Sequence, residues 1–384
     1  MSWKLQSDVI NTTYRKKISE FVLNTRRFTQ GEAILEFEKN FSNWMGAEYS
    51  LFVSSGSTAN FLLIDSMKEK YNWNDMSEII VPAVTWTTNV SPIIQLGMKP
   101  VFCDINLDDM SFDYNMLATL ISKNTKAIFL THLIGLPANI EKINKIIDNN
   151  DIKIIEDCCE AQGATISNKK VGSFGIGSTF SFYWGHIMTS IEGGMVVTND
   201  KELYHLMKMK RSHGLARELP KSEWSNIKKY NKNIDFNFLF LNLGYNFRNT
   251  EINAFIGNLQ LSEVEQIINE RKKNYSAFME IISKVGCIKK VYKLGMSPFC
   301  LPLIFESVAK KEIAMKLLTE SEIEYRPLIS GNLLYHPAFK RFANKLNYKN
   351  ANFLHNNALY IGNHQFVTTN NFTKLSEVLT EVCQ

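Results

Sequence analysis

The sequence predicts an α/β protein built on a mostly parallel sheet covered on both faces. Short apolar runs of strand composition recur between stretches of helical periodicity through the first half of the chain, and strands separated by helices pair in parallel. The 384 residues, 45% of them hydrophobic and 25 of them phenylalanine, are enough for two domains with substantial cores. No large part reads as disordered.

Ile34, Phe37, Phe41, Trp44 and Met45 recur at helical spacing and stop at Gly46. Tyr49 to Val53 then reads as a strand, Ser54 to Thr58 as a turn, and Ala59 to Lys70 as a helix. Further strands are predicted at 79–81, 100–102, 127–130, 153–155 and 179–182, with a helix from Ile140 to Asn149 among the segments between them. From Leu215 to Asn242 the pattern loosens into a polar stretch, which predicts either a flap near the site or a disordered surface insertion. A long helix from about Glu251 to Tyr275 leads into a smaller α+β unit. The expected division is residues 1–250 for a large domain and 251–384 for the linking helix and small domain.

A net charge of +5 without a compact Lys/Arg block argues against nucleic acid and suits an anionic small molecule, or simply a solvated basic surface. The opening residues lack an apolar core of signal-peptide length, and no run approaches a membrane span. The six cysteines have neither zinc nor iron–sulfur spacing, so reduced thiols in a cytoplasmic protein are expected. No HExxH-type pair occurs among the seven histidines, so no metal site is expected.

Two segments could carry chemistry by their residue types alone. Ser54-Ser55-Gly56-Ser57-Thr58, between a strand and a helix, could cradle a phosphate or simply cap the helix. Asp157 ends an apolar strand, where a carboxylate needs a partner: a backbone amide or a cationic ring nitrogen. The glycines at 172, 175 and 177 lack dinucleotide-binding order and read as turns.

Five segments, taken in order, resemble the DegT-type sugar aminotransferases, which use pyridoxal phosphate (PLP). They are Ser54–Thr58, the stretch around Trp86, Glu156-Asp157-Cys158-Cys159-Glu160-Ala161-Gln162-Gly163, Ser181–Asp200, and Gly244-Tyr245-Asn246-Phe247-Arg248. The resemblance implies the aspartate-aminotransferase-like PLP fold type I, with a large seven-stranded α/β/α domain and a small C-terminal α+β domain. It assigns Gly56, Ser57, Thr58 and Ser181 to the cofactor phosphate, Asp157 to the pyridine nitrogen, and Trp86 and Gln162 to the ring. It takes Glu160 as an extra residue before Ala161-Gln162. Asn246 would reach the cofactor of a neighbouring subunit, which implies a homodimer with shared active sites.

One position departs from the family pattern: His186 stands where the cofactor lysine is expected. A primary amine forms a Schiff base with an aldehyde, and an imidazole does not. Histidine retains only proton transfer. The resemblance is therefore to the branch of colitose biosynthesis, which carries this histidine and works from pyridoxamine phosphate (PMP). It implies removal of the carbon-3 hydroxyl from a GDP-linked 4-keto-6-deoxy sugar, a hexose such as mannose or a heptose, for O-antigen or capsule synthesis. L-glutamate would regenerate PMP, and no iron–sulfur cluster is expected. His213, Arg217 and Arg248 are candidate substrate contacts, with solvated loop cations the alternative for the first two. Two competing readings stand: an aminotransferase that recruits Lys169 or Lys170, and an inactive binding relative.

Overall fold

The computed structural model describes residues 2–148, 151–343 and 346–384. Helices α1 (Thr12–Asn24) and α2 (Glu32–Met45) precede β1 (Tyr49–Val53). Then α3 (Gly56–Lys70), β2 (Glu78–Pro82), α4 (Ser91–Gln95), β3 (Lys99–Cys103), α5 (Tyr114–Leu120), β4 (Thr125–Thr131), α6 (Ile140–Ile147) and β5 (Lys153–Asp157) alternate. A small hairpin, β6 (Thr165–Ile166) and β7 (Lys169–Lys170), leads to β8 (Gly177–Ser181) and β9 (Gly194–Thr198). Beyond α7 (Lys201–Arg211) and α8 (Lys221–Tyr230), helix α9 (Glu251–Lys284) runs to β10 (Cys300–Ile304) and α10 (Val308–Glu320). The chain closes with β11 (Tyr325–Pro327), α11 (Lys349–Asn357), β12 (Ala358–Gly362) and α12 (Thr369–Cys383).

The large sheet has seven strands in the order β1-β9-β8-β5-β4-β2-β3. Neighbours from β8 to β3 pair in parallel, while β9 runs antiparallel to both β1 and β8. A second sheet, β10-β12-β11, is antiparallel. One continuous core reaches from Leu51, Val81 and Phe129 under the large sheet to Leu303, Ile361 and Leu379 around the small one. A cluster of Phe37, Phe41, Phe52 and Phe182 seats α2 on the large sheet, with Phe37 and Phe52 meeting edge to face at 5.0 Å.

Local chemistry explains where the elements begin. Ser55 accepts the Thr58 N–H and the Thr58 hydroxyl accepts the Ser55 N–H, so α3 starts at Gly56 rather than at Ala59. The first turn of α2 has no side-chain cap of its own. Glu251, on α9, supplies it by accepting from Gly31 and Ala33 at 2.8 Å each. Helix α9 continues past Tyr275 because Phe278 and Ile282 prolong its buried stripe.

Two further sequence expectations change, and one is left outside the described residues. The stretch 215–242 is not open loop: it contains α8, which buries no residue, and Trp224 packs on Phe236 at 5.1 Å. Its ordering comes from such local contacts rather than from a core-facing stripe. Cys287 and Cys383 form a disulfide, with Cα atoms 5.5 Å apart, so not all six cysteines are free thiols. Packing of α12 beside the end of α9 brings together two residues 96 apart in sequence. The expected end of the helix at Asn149 lies outside the described residues; α6 is described to Ile147. Among the described residues, no helix is long and apolar enough to cross a membrane.

Candidate active site

The C-terminal ends of the parallel strands are where an open α/β sheet gathers a site, because each strand there hands over to a loop. Here they open on a cavity of about 520 Å³. Ser55, Gly56 and Ser57 follow β1, Trp86 follows β2, Thr131 ends β4, Asp157 ends β5 and Ser181 ends β8; all line the cavity. The facing wall carries Arg271 from α9, Cys300 from β10, Arg326 from β11 and Tyr360 from β12.

Asp157 is only 4% exposed, yet no cation pairs with it among the described residues. Its Oδ1 accepts the Cys159 N–H at 2.8 Å, and its Oδ2 lies 3.4 Å from the Asn60 amide, whose oxygen accepts from the Thr179 hydroxyl. A buried carboxylate held this way is ready for one more donor, and a protonated pyridine nitrogen is such a donor. At the other end of the cavity, Gly56 and Ser57 open the 15-residue helix α3 beside Ser181. A Cβ on Gly56 would lie 2.6 Å from the Ser181 Cβ and 3.1 Å from the Cys159 sulfur, so only glycine leaves this cradle open. Amide groups at a helix start next to serine hydroxyls suit a phosphate. Trp86 is 53% exposed and presents its ring to the cavity. The residues present therefore fit PLP or PMP.

His186 lies in the loop after β8 and lines the same cavity. Its Nδ1 is 2.8 Å from the Cys159 carbonyl, and its ring packs against Phe299 at 5.4 Å. Its own carbonyl accepts from Gln6 and from Arg271, each at 3.3 Å. Burial pushes its pKa down to about 4, with the Arg271 charge adding to the fall and the Cys159 carbonyl opposing it. The ring is thus neutral at neutral pH, further from titration than its ordinary value suggests.

Other expected residues fall elsewhere. The Thr58 hydroxyl is committed to the cap of α3 and does not line the cavity. Gln162 is fully buried, donating to the Ser181 carbonyl at 2.7 Å and accepting from Met188 at 3.1 Å. It braces the His186 loop, while Asp157, Cys159 and Glu160 of the same segment line the cavity. Asn246, His213, Arg217 and Arg248 do not line the cavity of their own chain. Arg248 donates to Asn246 at 3.0 Å and meets His213 at 3.3 Å, while Arg217 donates to the Asn237 carbonyl. Lys169 and Lys170 lie over the rings of Phe174 and Trp44 and do not line the cavity.

Sequence reasoning missed Arg271 and left Glu160 without a role. Arg271 is 2% exposed, donates to the carbonyls of Phe299 and His186, and is paired with no carboxylate among the described residues. An arginine between Ile267, Ile268 and Tyr275 on the buried stripe of a long helix was the available signal. For Glu160 the signal was the irregularity itself, an acid next to the expected Ala-Gln pair.

A seven-stranded, mostly parallel sheet with an acidic strand end, a phosphate cradle and a facing aromatic ring defines a sugar-aminotransferase type of protein. The DegT/DnrJ/EryC1/StrS aminotransferase family matches residues 10–380, and the chain belongs to it. It is similar to GDP-4-keto-6-deoxy-D-mannose 3-dehydratase of Escherichia coli O55:H7, with 35% identity covering 94% of this chain and 96% of that one. Among solved structures, it resembles E. coli GDP-4-keto-6-deoxy-D-mannose-3-dehydratase with bound hydrated PLP (33% identity, 99% of each chain, TM-score 0.91). It also resembles GDP-4-keto-6-deoxymannose-3-dehydratase with a trapped PLP–glutamate geminal diamine (32% identity, 100% of each chain, TM-score 0.90).

Proposed function

We propose that this protein is a PLP/PMP-dependent 3-dehydratase of a GDP-linked 4-keto-6-deoxy sugar, using glutamate as amino donor. The observation that carries the reading is His186: a histidine at the cofactor-lysine position, tied through Nδ1 and bordering a cavity that otherwise suits the cofactor. When bound, PMP supplies an amine that can condense with the sugar ketone and a ring that can take up electrons.

The chain supplies the rest. Asp157 would hold the ring nitrogen protonated, Trp86 would offer a face to the ring, and Gly56, Ser57 and Ser181 would receive the phosphate. Because a carbonyl oxygen accepts and never donates, the Nδ1 of His186 carries hydrogen and Nε2 is left as the base. That nitrogen could remove a proton from carbon but could not capture an aldehyde, which would leave the aldehyde free to take an amino group from glutamate. Loss of a hydroxyl, rather than gain of an amine, follows.

The family-wide alternative of a transferred amine needs a lysine at the cavity, and Lys169 and Lys170 are both turned to other rings. An inactive binding relative has no need of a buried Asp157 without a cation among the described residues, in one cavity with a tautomer-fixed histidine. A homodimer is part of the reading. It gives Asn246 and its arginine neighbours a cavity to serve, and the exposed Phe238, Phe240 and Leu243 support it. A cytoplasmic enzyme of O-antigen or capsule synthesis, dividing near residue 250, completes the proposal.

Its test is a mass spectrum of the products from purified protein, PLP, glutamate and GDP-4-keto-6-deoxymannose. A sugar lacking the carbon-3 oxygen, with 2-oxoglutarate appearing, is the expected result. An amino sugar would overturn it, and a reaction only with the corresponding heptose would move the substrate without changing the chemistry.

A further inference from the structure

We propose that Glu160 is the proton donor of this site, so that His186 and Glu160 divide the work of base and acid between them. The inference rests on the dehydratase reading above.

The geometry ties the two side chains to one short segment. Cys159 holds the His186 ring through its carbonyl, Glu160 is the next residue, and both His186 and Glu160 line the cavity. The Oε2 of Glu160 accepts the Ile134 N–H at 2.8 Å. That donor is presented by a constrained turn: Ile134 has φ 50°, and Gly135 has φ 89°. A Cβ on Gly135 would lie only 1.8 Å from the Ser297 carbonyl oxygen, so only glycine fits there, and the Ser297 and Phe299 N–H groups donate to the carbonyls of Gly135 and Ile134 and tie the turn down. One carboxyl oxygen is therefore fixed.

The charges around Glu160 favour its un-ionised form. The titratable groups whose fields it shares are Asp157 from β5, the adjacent Cys159, Cys300 from β10 and Tyr360 from β12, and none is a cation. Arg271, from α9, borders the same cavity but is bonded to the carbonyls of Phe299 and His186, not to Glu160. Burial, with Asp157 adding to it and the Ile134 N–H opposing, pushes the Glu160 carboxyl up to about 8. The neighbouring imidazole is pushed the other way, to about 4. Two titratable groups driven apart in this manner rest at neutral pH as one loaded acid and one empty base.

The step balances with these two groups alone. His186 Nε2 takes the proton as a C–H bond breaks, and the electron pair is relayed to expel the carbon-3 oxygen with the C–O bond pair. The O–H of Glu160 gives that oxygen its proton, and water leaves. Imidazolium and carboxylate then return to their resting forms when one proton passes from His186 to Glu160 through the cavity. A single-base route, in which His186 both takes and returns the proton, is the competing scheme.

Glu160→Gln keeps the shape and removes the transferable proton. In that variant, kcat is expected to fall about 100-fold with little change in KM, and the alkaline limb of the pH profile near 8 is expected to vanish. Glu160→Asp, an acid on a shorter arm, is expected to recover part of kcat and the limb. Infrared spectra of the protein without substrate should hold a carboxylic-acid carbonyl band that fades as pH rises through about 8 and is missing in Glu160→Gln. A Glu160→Gln enzyme with undiminished kcat and an intact alkaline limb overturns the proposal, as does absence of the band. If the wild-type protein forms no deoxy sugar, the dehydratase reading has failed and this role falls with it. Normal wild-type turnover with an indifferent variant removes only Glu160.

Discussion

The Nδ1 of His186 lies 2.8 Å from the carbonyl oxygen of Cys159. A backbone carbonyl fixes the tautomer without adding a charge, so the ring is oriented while its basicity is left to its surroundings. Replacing His186 with Asn should lower dehydration by about 10² to 10⁴-fold, the usual worth of a positioned proton-transfer group. His186→Lys should capture the PLP aldehyde, read as a protein-bound cofactor after borohydride, with dehydration sharply reduced. Cys159→Ala should leave turnover largely intact, because it is the main chain of that residue that holds the imidazole.

Among the described residues, the buried Asp157 has no cationic partner. Asp157→Asn keeps the shape but loses a charge-assisted hydrogen bond of about 1.5–3 kcal/mol, which corresponds to a tenfold or greater loss of PLP affinity. An absorbance titration of the purified variant measures it, and unchanged affinity would remove Asp157 from the cofactor's surroundings.

Glu160 also predicts how stability varies with pH. Its carboxyl is raised from 4.5 to about 8 in the folded chain. Below 4.5 both states keep the proton. As pH rises towards 8, the unfolded chain ionises and the folded one does not, so the folded state progressively loses stability. Glu160→Gln removes that loss, so its Tm should gain on the wild type as pH rises through this window and hold a constant lead above it. A difference independent of pH would mean that Glu160 is ionised in the folded protein.

Away from the site, Arg211 meets Glu38 at 2.6 Å, with side chains only 3% and 8% exposed, and the same guanidinium donates to the Phe52 carbonyl. Glu38 also accepts the Phe52 N–H, so the pair locks α2 and α7 to β1. Breaking a buried pair from one side leaves a charge without its partner. Glu38→Gln should cost about 3–5 kcal/mol in urea unfolding, and a loss near zero would show that the arginine finds another acceptor.

The Cys287–Cys383 disulfide closes a span of 96 residues. Thiol titration without reductant should count four free cysteines, those at 103, 158, 159 and 300. Reduction should lower stability by about 2–4 kcal/mol. Six reactive thiols after unfolding in the absence of reductant would show that the bond does not form.

Much of this was legible in the chain because the strongest signals are local. Tyr49–Val53 followed by Ser55 and Gly56 declares a strand, a turn and a capped helix within a few residues, and Asp157 stands out as an acid ending an apolar strand. What escaped depends on distant partners. The β9 run Gly194–Thr198 is buried on both faces, so it has no alternation to reveal it, and its place between β1 and β8 is set by pairing. Helix α8 buries nothing and leaves no apolar stripe in the sequence. Gln162 and Glu160 are two residues apart, and the sequence alone does not say which faces the cavity. The Ser181 carbonyl and Met188 amide, brought in by β8 and its loop, take Gln162 away from it.

The segment from Trp3 to Gln6 gives the site a history as well as a shape. The Trp3 indole donates to the carbonyl of Gly362, 359 residues away, and Gln6 donates to the carbonyls of Trp184 and His186. During synthesis this stretch leaves the ribosome long before β12 exists, and although its main chain can meet Glu322 and Glu324 earlier, the Trp3 indole has no acceptor until that strand has been made. Every residue proposed here for proton transfer lies at or before position 186, yet the Trp3 bond that anchors the stretch carrying Gln6 waits for residue 362. A nascent chain halted between those points would hold the chemistry in its sequence without the brace that aims it, so activity should arrive late and abruptly as the final strand is completed.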